Sequence, residues 1–436
     1  MKSSVLKNAG WIIGCKIAQS LISFVIGMFT VRYLGPSNYG VISYVASIVA
    51  FALPLMQMGL KNTIIKEFVQ FPEKEGVILG TTILINVLSS IACMIGCVTF
   101  VMIVNAGEKE TIIVCALYSL TLLFNATEMT QYWFQSKLLS KYPSMAALTA
   151  YAVVALYKVY LLVTQKNIIW FTLSNVIDYA IISIILIVIY LKIGGQKLSV
   201  DWKIGKELLS RSKYYIIPSM MVIVFQNTDR IMLKLLVGEE ETGFYSAALT
   251  CIGITSFVFS AIIDSARPII LQEKETDSIK YETRVMQLYS IITWLSLVQS
   301  IGMTVFAKPL VSILYGSAYT KTADTLAVAV WYITFGHYGS IRNIWILAEN
   351  KQRYLTTINV VGASANILLN LCLIPGFGAV GAAIASVITQ LFTNVIIGFI
   401  FKPIRHNNQL MIKALNPNLG INIVKEVLHH KNVGNR

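Results

Sequence analysis

Long apolar runs separated by short polar loops organise this chain from end to end. Twelve runs stand out, at 10–33, 40–60, 77–104, 111–134, 143–164, 168–191, 214–236, 243–266, 286–307, 324–348, 355–374 and 378–401. Most exceed the roughly 18 residues that a bilayer-spanning helix requires. None shows the period-two alternation of a barrel strand, and within lipid only helices and closed barrels satisfy every backbone group. The pattern predicts an all-α, polytopic membrane protein with about twelve transmembrane helices.

The pattern is also written twice. Leu34, Gly35, Gly40 and Ser43 return as Val237, Gly238, Gly243 and Ser246, offset by 203 residues. Trp133, Lys141 and Tyr142 return as Trp345, Arg353 and Tyr354, offset by 212. Six spans precede the basic segment 192–213 and six follow it. Because six is even, the two copies share one topology and are expected to be related by an axis along the membrane normal. The predicted organisation is two six-helix lobes around a central cavity. Residues 1–200 form the first lobe with the start of the basic linker, 201–401 the second lobe, and 402–436 a cytoplasmic tail. In that tail Leu419, Ile423 and Val427, with Val424 and Leu428, make the stripe of a short interfacial helix or a partner-binding segment. A duplicated membrane bundle is the signature of a transporter.

Composition sharpens this reading. Charged residues make up 13% of the chain and hydrophobic ones 56%, against about 25% charged in a soluble domain, so a soluble globule is excluded. The net charge of +14 would indicate nucleic acid in a soluble protein, but here the cations follow topology. With the amino terminus inside, Lys2, Lys7, Lys61, Lys66, Lys74, Lys137, Lys141, the cations of 192–213, Lys274, Lys280, Arg284, Lys351 and Arg353 all fall on the cytoplasmic side. Only Lys109, Lys166, Lys308 and Lys321 fall outside. This is the positive-inside asymmetry; it places both termini in the cytoplasm and implies no nucleic-acid partner. The first run has no small-residue cleavage site and reads as a retained helix.

All six cysteines lie within predicted spans, where they act as small apolar residues, so no disulfide framework is expected. Cys93 and Cys97 share a helix face but lack nearby His or acidic partners, and no metal site is expected. No G-x-x-x-x-G-K-S/T loop is present, so no nucleotide or other cofactor is expected. The longest loop, of about twenty residues, is too short for a catalytic domain. That argues against an enzyme, including a membrane glycosyltransferase or polysaccharide polymerase.

Ionisable residues inside membrane helices cost roughly 2.5 to 3.5 kcal/mol near the centre, so they face a wet cavity or one another. Asp178 lies nearest the midplane of the sixth span, and Lys158 in the fifth lies at a depth that lets it approach across the hairpin. They read as a structural pair, or as a coupling carboxylate beside an anion-holding cation. Asp229 and Arg230 in the seventh span point about 100° apart and read as interhelical ties, or as a salt bridge and a cavity anion contact. Asp264 and Arg267 meet at i,i+3 near a helix end. His337, Tyr338, Arg342, Trp345 and Glu349 make one polar stripe that lines a cavity or packs between helices. Glu128, one turn from Asn125 and Gln131, carries the same two readings, as does Lys16 with Gln19. Asn359, Asn366 and Asn370, and Ser386, Gln390 and Asn394, form two further polar faces, serving packing or sugar contacts. Lys16, Lys158, Arg230, Arg267 and Arg342 are thus the candidate substrate-binding cations. Asp178, Glu128 and Asp229 are the candidate coupling groups.

Three stretches carry a resemblance: RYLGPSNYGVISYVASI from Arg32 to Ile48, DRIMLKLLVGEEETGFYSAA from Asp229 to Ala248, and LIPGFGAVGAAIASVITQ from Leu373 to Gln390. They resemble the Wzx-type polysaccharide repeat-unit flippases, which translocate O-antigen and capsule precursors. These belong to the superfamily that also holds multidrug exporters and the lipid II flippase. The resemblance covers residues 1–401. It implies an inner-membrane transporter, not an enzyme, that moves an undecaprenyl-pyrophosphate-linked oligosaccharide outward by ion-coupled alternating access. It also implies membrane lipid as a partner, together with a polysaccharide polymerase and its chain-length machinery. A drug or cation antiporter of the same superfamily is the alternative. No catalytic motif of the family carries over residue by residue.

Overall fold

The computed structural model describes residues 2–416, without the side chains of 2–13, 15–18 and 21. Lys16 as a side chain and the stripe at 419–428 therefore lie outside the described residues. Among those residues the chain is helical and holds no strand. It divides into two compact units, Met1–Lys234 and Leu235–Arg436.

The first unit contains α1 (Lys2–Gln57), α2 (Ile64–Gln70), α3 (Glu75–Val104), α4 (Lys109–Ala126), α5 (Met129–Ser136), α6 (Lys141–Val163), α7 (Ile168–Lys192), α8 (Trp202–Ser212) and most of α9 (Ile216–Val237). The second contains α10 (Glu239–Thr276), α11 (Ser278–Val305), α12 (Ala307–Tyr315), α13 (Thr320–Ala348), α14 (Arg353–Leu391), α15 (Ile397–Ile400) and α16 (Arg405–Lys413). Among the described residues, eight helical segments are long and apolar enough to cross a membrane. The long helices α9 and α13 are not among them; they carry Asp229, Arg230 and Lys234, and His337 and Arg342.

The repeated glycines mark where the helices break. Gly35 (φ 71°, ψ 170°) breaks α1, and Gly238 (φ 104°, ψ 179°) separates α9 from α10. Both angles lie where only glycine is comfortable, so a shared sequence signal produces a shared backbone break. Gly378 (φ 55°, ψ −131°) breaks α14 in the same manner. There Glu241 caps the new segment: its Oε2 accepts the Ala379 N–H at 2.8 Å, while Oε1 lies 3.2 Å from Lys321.

The tryptophan markers sit at matching ion pairs. Trp133 is buried, donates from Nε1 to Glu75 Oε2 at 2.7 Å, and Glu75 pairs with Lys137. Trp345 is buried beneath Lys351, 4.5 Å from its ring, near the end of α13 where Glu349 pairs with Lys274. The position 212 residues after Lys137 is Glu349, so each half places a charged residue four after its tryptophan, with opposite sign in the two.

The basic segment between the sixth and seventh runs, expected as the loop joining the two halves, is docked on the first unit. It crosses the outside of α3 and folds into α8. Gln196 accepts the Gly76 N–H at 3.0 Å and donates to the Pro72 carbonyl at 2.9 Å. Ser199 N donates to the Gly76 carbonyl at 3.3 Å and Asp201 N to Thr81 Oγ1 at 3.0 Å. Asp201 caps α8 through Lys203 N at 2.8 Å. Ser212 Oγ donates to the Met58 carbonyl at 2.8 Å, and Arg211 pairs with buried Glu67 at 2.9 Å.

Candidate functional site

The first unit holds a polar interior surrounded by apolar helices. Its foundation is the break between α4 and α5, where Thr127 and Glu128 interrupt the helix. The Thr127 and Ser183 hydroxyls lie 2.5 Å apart, tying this break to α7. Gln57 Nε2 donates to Asn125 Oδ1 at 3.4 Å, tying it to α1. Glu128 is hydrogen-bonded by Gln131 and lies within electrostatic reach of Lys61. Serine, threonine and amide side chains thus gather where a regular helix would have carried apolar contacts.

Further along the unit, Asp178 stands on α7 and Lys158 on α6. They lie within electrostatic reach, but among the described residues no ion-pair contact joins them. One Asp178 oxygen, Oδ1, is buried and accepts no hydrogen bond. Three tyrosines lie within electrostatic reach of the carboxylate: Tyr118 from α4, Tyr151 from α6 and Tyr179 from α7. Tyr118 also lies in range of Tyr39 and of Arg230. Arg230 donates to Asn227 Oδ1 at 3.3 Å and to the Gln226 carbonyl at 3.5 Å, and Asp229 beside it is buried. The sequence-predicted Lys158, Asp178, Arg230, Asp229 and Glu128 therefore all belong to this one unit. The tyrosines escaped the sequence reading, though two signals were available. Tyr151 stands seven residues before Lys158, on the same helical face, and Tyr118 seven before Asn125.

At the α3–α4 loop a second network closes the opposite end of the unit. Glu108 accepts from Asn105 Nδ2 at 3.2 Å and Thr111 Oγ1 at 2.7 Å, and lies 2.9 Å from Lys234 Nζ. Tyr44 donates to Asn105 Oδ1 at 2.7 Å. Partial burial pushes the Glu108 carboxyl up, but the donors Lys234, Thr111 and Asn105 outweigh it and hold the group below the ordinary carboxylate value.

The stripe on α13 packs inside the second unit. His337 stacks on Phe259 with ring centroids 4.3 Å apart. Arg342 is 3% exposed and donates to the Thr393 carbonyl at 2.6 Å and to Asn343 at 3.2 Å. That carbonyl lies in the π-helical segment Phe392–Ile396, where the regular backbone pairing is displaced. Asn394 donates to the Phe335 carbonyl at 2.9 Å and to Gln390 Oε1 at 2.5 Å, and Asn370 donates to Asn366 at 3.2 Å. Arg267 and Asp264 pair at 3.3 Å with both side chains more than half exposed.

These side chains are carried by an all-helical, multi-pass membrane fold. The chain superimposes on the lipid II flippase MurJ in its inward closed conformation with a TM-score of 0.73, covering 92% of this chain and 91% of that one at 15% identity. Residues 5–274 match the family described as polysaccharide biosynthesis protein, and the chain belongs to that family. It is 21% identical to the capsular polysaccharide biosynthesis protein CapF of Staphylococcus aureus over 92% of this chain and 100% of that protein. It is likewise 21% identical to the probable low-salt glycan biosynthesis flippase Agl15 of Haloferax volcanii, over 47% of this chain. That second match spans 44% of Agl15, less than half its length.

Proposed function

We propose that this protein flips a lipid-linked oligosaccharide repeat unit, carried on undecaprenyl pyrophosphate, from the cytoplasmic to the outer leaflet of a bacterial inner membrane. The observation that carries the reading is membership of the polysaccharide biosynthesis family in a chain whose interior holds cations and tyrosines together. A phosphorylated glycan needs both, a cation for the pyrophosphate and hydroxyl or amide groups for the sugar. In this reading the chain crosses the membrane twelve times, with α1 and α14 each crossing twice at their glycine breaks and α9 and α13 crossing once each. Both termini are cytoplasmic, and the protein acts as a transporter, not an enzyme.

Within this reading Lys158 and Arg230 hold the anionic part of the cargo, and Asp178, Glu128 and Asp229 respond to the coupling ion. Arg342 and Arg267 are assigned to packing and to a local surface pair. The glycan moves by alternating access while its lipid tail stays in the bilayer. Cells lacking the gene test this. Complete single repeat units accumulating on the cytoplasmic leaflet, and moving outward when the gene is restored, are the expected result. Single units that reach the outer leaflet but stay unpolymerised would identify a polymerase instead. A glycolipid pool that does not change would favour the drug or cation antiporter. Lys158→Ala and Arg230→Ala should each impair outward movement while leaving membrane insertion intact.

A further inference from the structure

The docked linker presents an outer face that the fold does not use. The inner face of α8 is fixed: Gly205, Leu208 and Ser212 are buried, and a Cβ at Gly205 would lie 3.1 Å from Thr81 and 3.2 Å from Ile85. Those contacts place α8 beside the opening turns of α3, within about 15 Å of its start at a rise of about 1.5 Å per residue. A bundle of membrane-spanning helices has its lipid headgroup boundary at that depth. The exposed part of α8 and the segments on either side of it carry two kinds of residue. Trp202 is 56% exposed, Tyr214 74% and Tyr215 46%, with Leu198, Val200 and Ile217 exposed beside them. Lys192, Lys197, Lys203, Lys206 and Lys213 are interleaved and exposed. The acids nearby are committed locally, Asp201 to the α8 cap and Glu207 to Arg211 at 3.7 Å.

Apolar rings beside cations match a leaflet surface whose headgroups are negative. Aromatic rings sit at the boundary between headgroup and acyl chain, and each Lys or Arg near an anionic surface is worth about fivefold in local preference. We infer that α8 and its flanking segments form a binding surface for anionic phospholipid in the adjoining leaflet. The surface is held rigid by the hydrogen bonds to α3 described above, so the lipids meet a preformed array of charge. This inference does not depend on the transported cargo.

Quenching of Trp202 tests it in full-length protein reconstituted into vesicles. Brominated phosphatidylglycerol or brominated phosphatidylcholine is added at equal mole fraction, and Trp202→Phe isolates the signal of this one indole. The expected result is at least about threefold stronger quenching of Trp202 by the anionic lipid. The Lys203→Glu/Lys206→Glu variant should bring the two lipids to parity. Both substitutions lie on the exposed face, and thermal unfolding in zwitterionic vesicles checks that the variant is folded. Equal quenching by the two lipids in the unaltered protein would overturn the inference. So would a preference that survives charge reversal, or absence of quenching by either lipid, which would mean a protein partner or water covers the face.

Discussion

Two alanine substitutions in one helix separate the docking of the linker from the stability of the helix that receives it. Gly80 and Gly96 both lie inside α3 and both gain helix propensity on conversion to Ala, up to about 1 kcal/mol. At Gly96 a new Cβ meets nothing within 4 Å. At Gly80 it would lie 2.4 Å from the Ser199 carbonyl oxygen and 3.0 Å from its nitrogen, both backbone atoms. A carbon to oxygen contact settles near about 3.3 Å, so the linker must retreat by roughly 1 Å. That retreat breaks the bonds from Ser199 N to Gly76 and from Asp201 N to Thr81, at 3.3 and 3.0 Å. Each contributes about 1 kcal/mol net. Gly80→Ala should therefore lose about 1 kcal/mol overall, and Gly96→Ala should gain up to about 1. The sharper readout is tryptic cleavage at the exposed Lys203 and Lys206 in purified full-length protein. Undocking made easier by about 2 kcal/mol raises cleavage about thirtyfold when opening is in rapid equilibrium. Thermal unfolding in the same detergent gives the global change. Should Gly80→Ala stabilise the protein as Gly96→Ala does, with cleavage unchanged, the close approach of linker and helix would carry no energy and the reasoning would fail.

Glu108 gives a dependence on pH with a defined sign. Its folded-state value is held below the ordinary one, so its stabilising contribution is present above about pH 4.3 and fades as pH falls through the lowered value. Its side chain is 41% exposed, and solvent screening keeps the effect below about 1 kcal/mol. Glu108→Gln should flatten that part of the acid limb in thermal unfolding, and a limb identical to the unaltered protein would show that the network does not titrate. Glu75→Ala removes the acceptor of buried Trp133 and the partner of Lys137; a loss of about 2 kcal/mol is expected, with Glu75→Gln milder because it keeps an acceptor, as measured by thermal unfolding. Asp178→Asn should abolish the response of glycolipid transport in inverted vesicles to an imposed proton gradient. An unchanged response would return this carboxylate to a structural role.

The parts of the fold that were legible in the sequence are those in which a local residue type forces the backbone. Gly35 and Gly238 could be matched across 203 residues because a positive φ admits few alternatives, and the structure breaks its helices at both. The apolar runs were legible for the same reason, since a long unbroken run has one stable form in lipid. The docked linker was not legible. Its recognition signal is Gly76 and Gly80 inside a long apolar helix, which in sequence looks the same as Gly96, a glycine that approaches nothing. The distinction lies in what comes near from 120 residues away, as the bonds from Gly76 N to Gln196 Oε1 and from Asp201 N to Thr81 Oγ1 show.

Charges within the helices show the same boundary from the other side. A buried ionisable group announces that it requires a partner, and so Lys158, Asp178, Arg230 and Arg342 all stood out alike. The kind of partner depends on structure with no sequence signature. Arg342 finds the Thr393 carbonyl at 2.6 Å because a π-helical turn displaces the regular backbone pairing there, and no residue in Phe392–Ile396 advertises such a turn. Asp178 keeps a buried oxygen that accepts no hydrogen bond, among tyrosines from three helices. Arg342 also keeps a buried Nε without a hydrogen-bond partner, so an unmatched atom is common to both residues. What differs is the surroundings: a displaced backbone carbonyl for Arg342, and Lys158 with three tyrosines within electrostatic reach for Asp178.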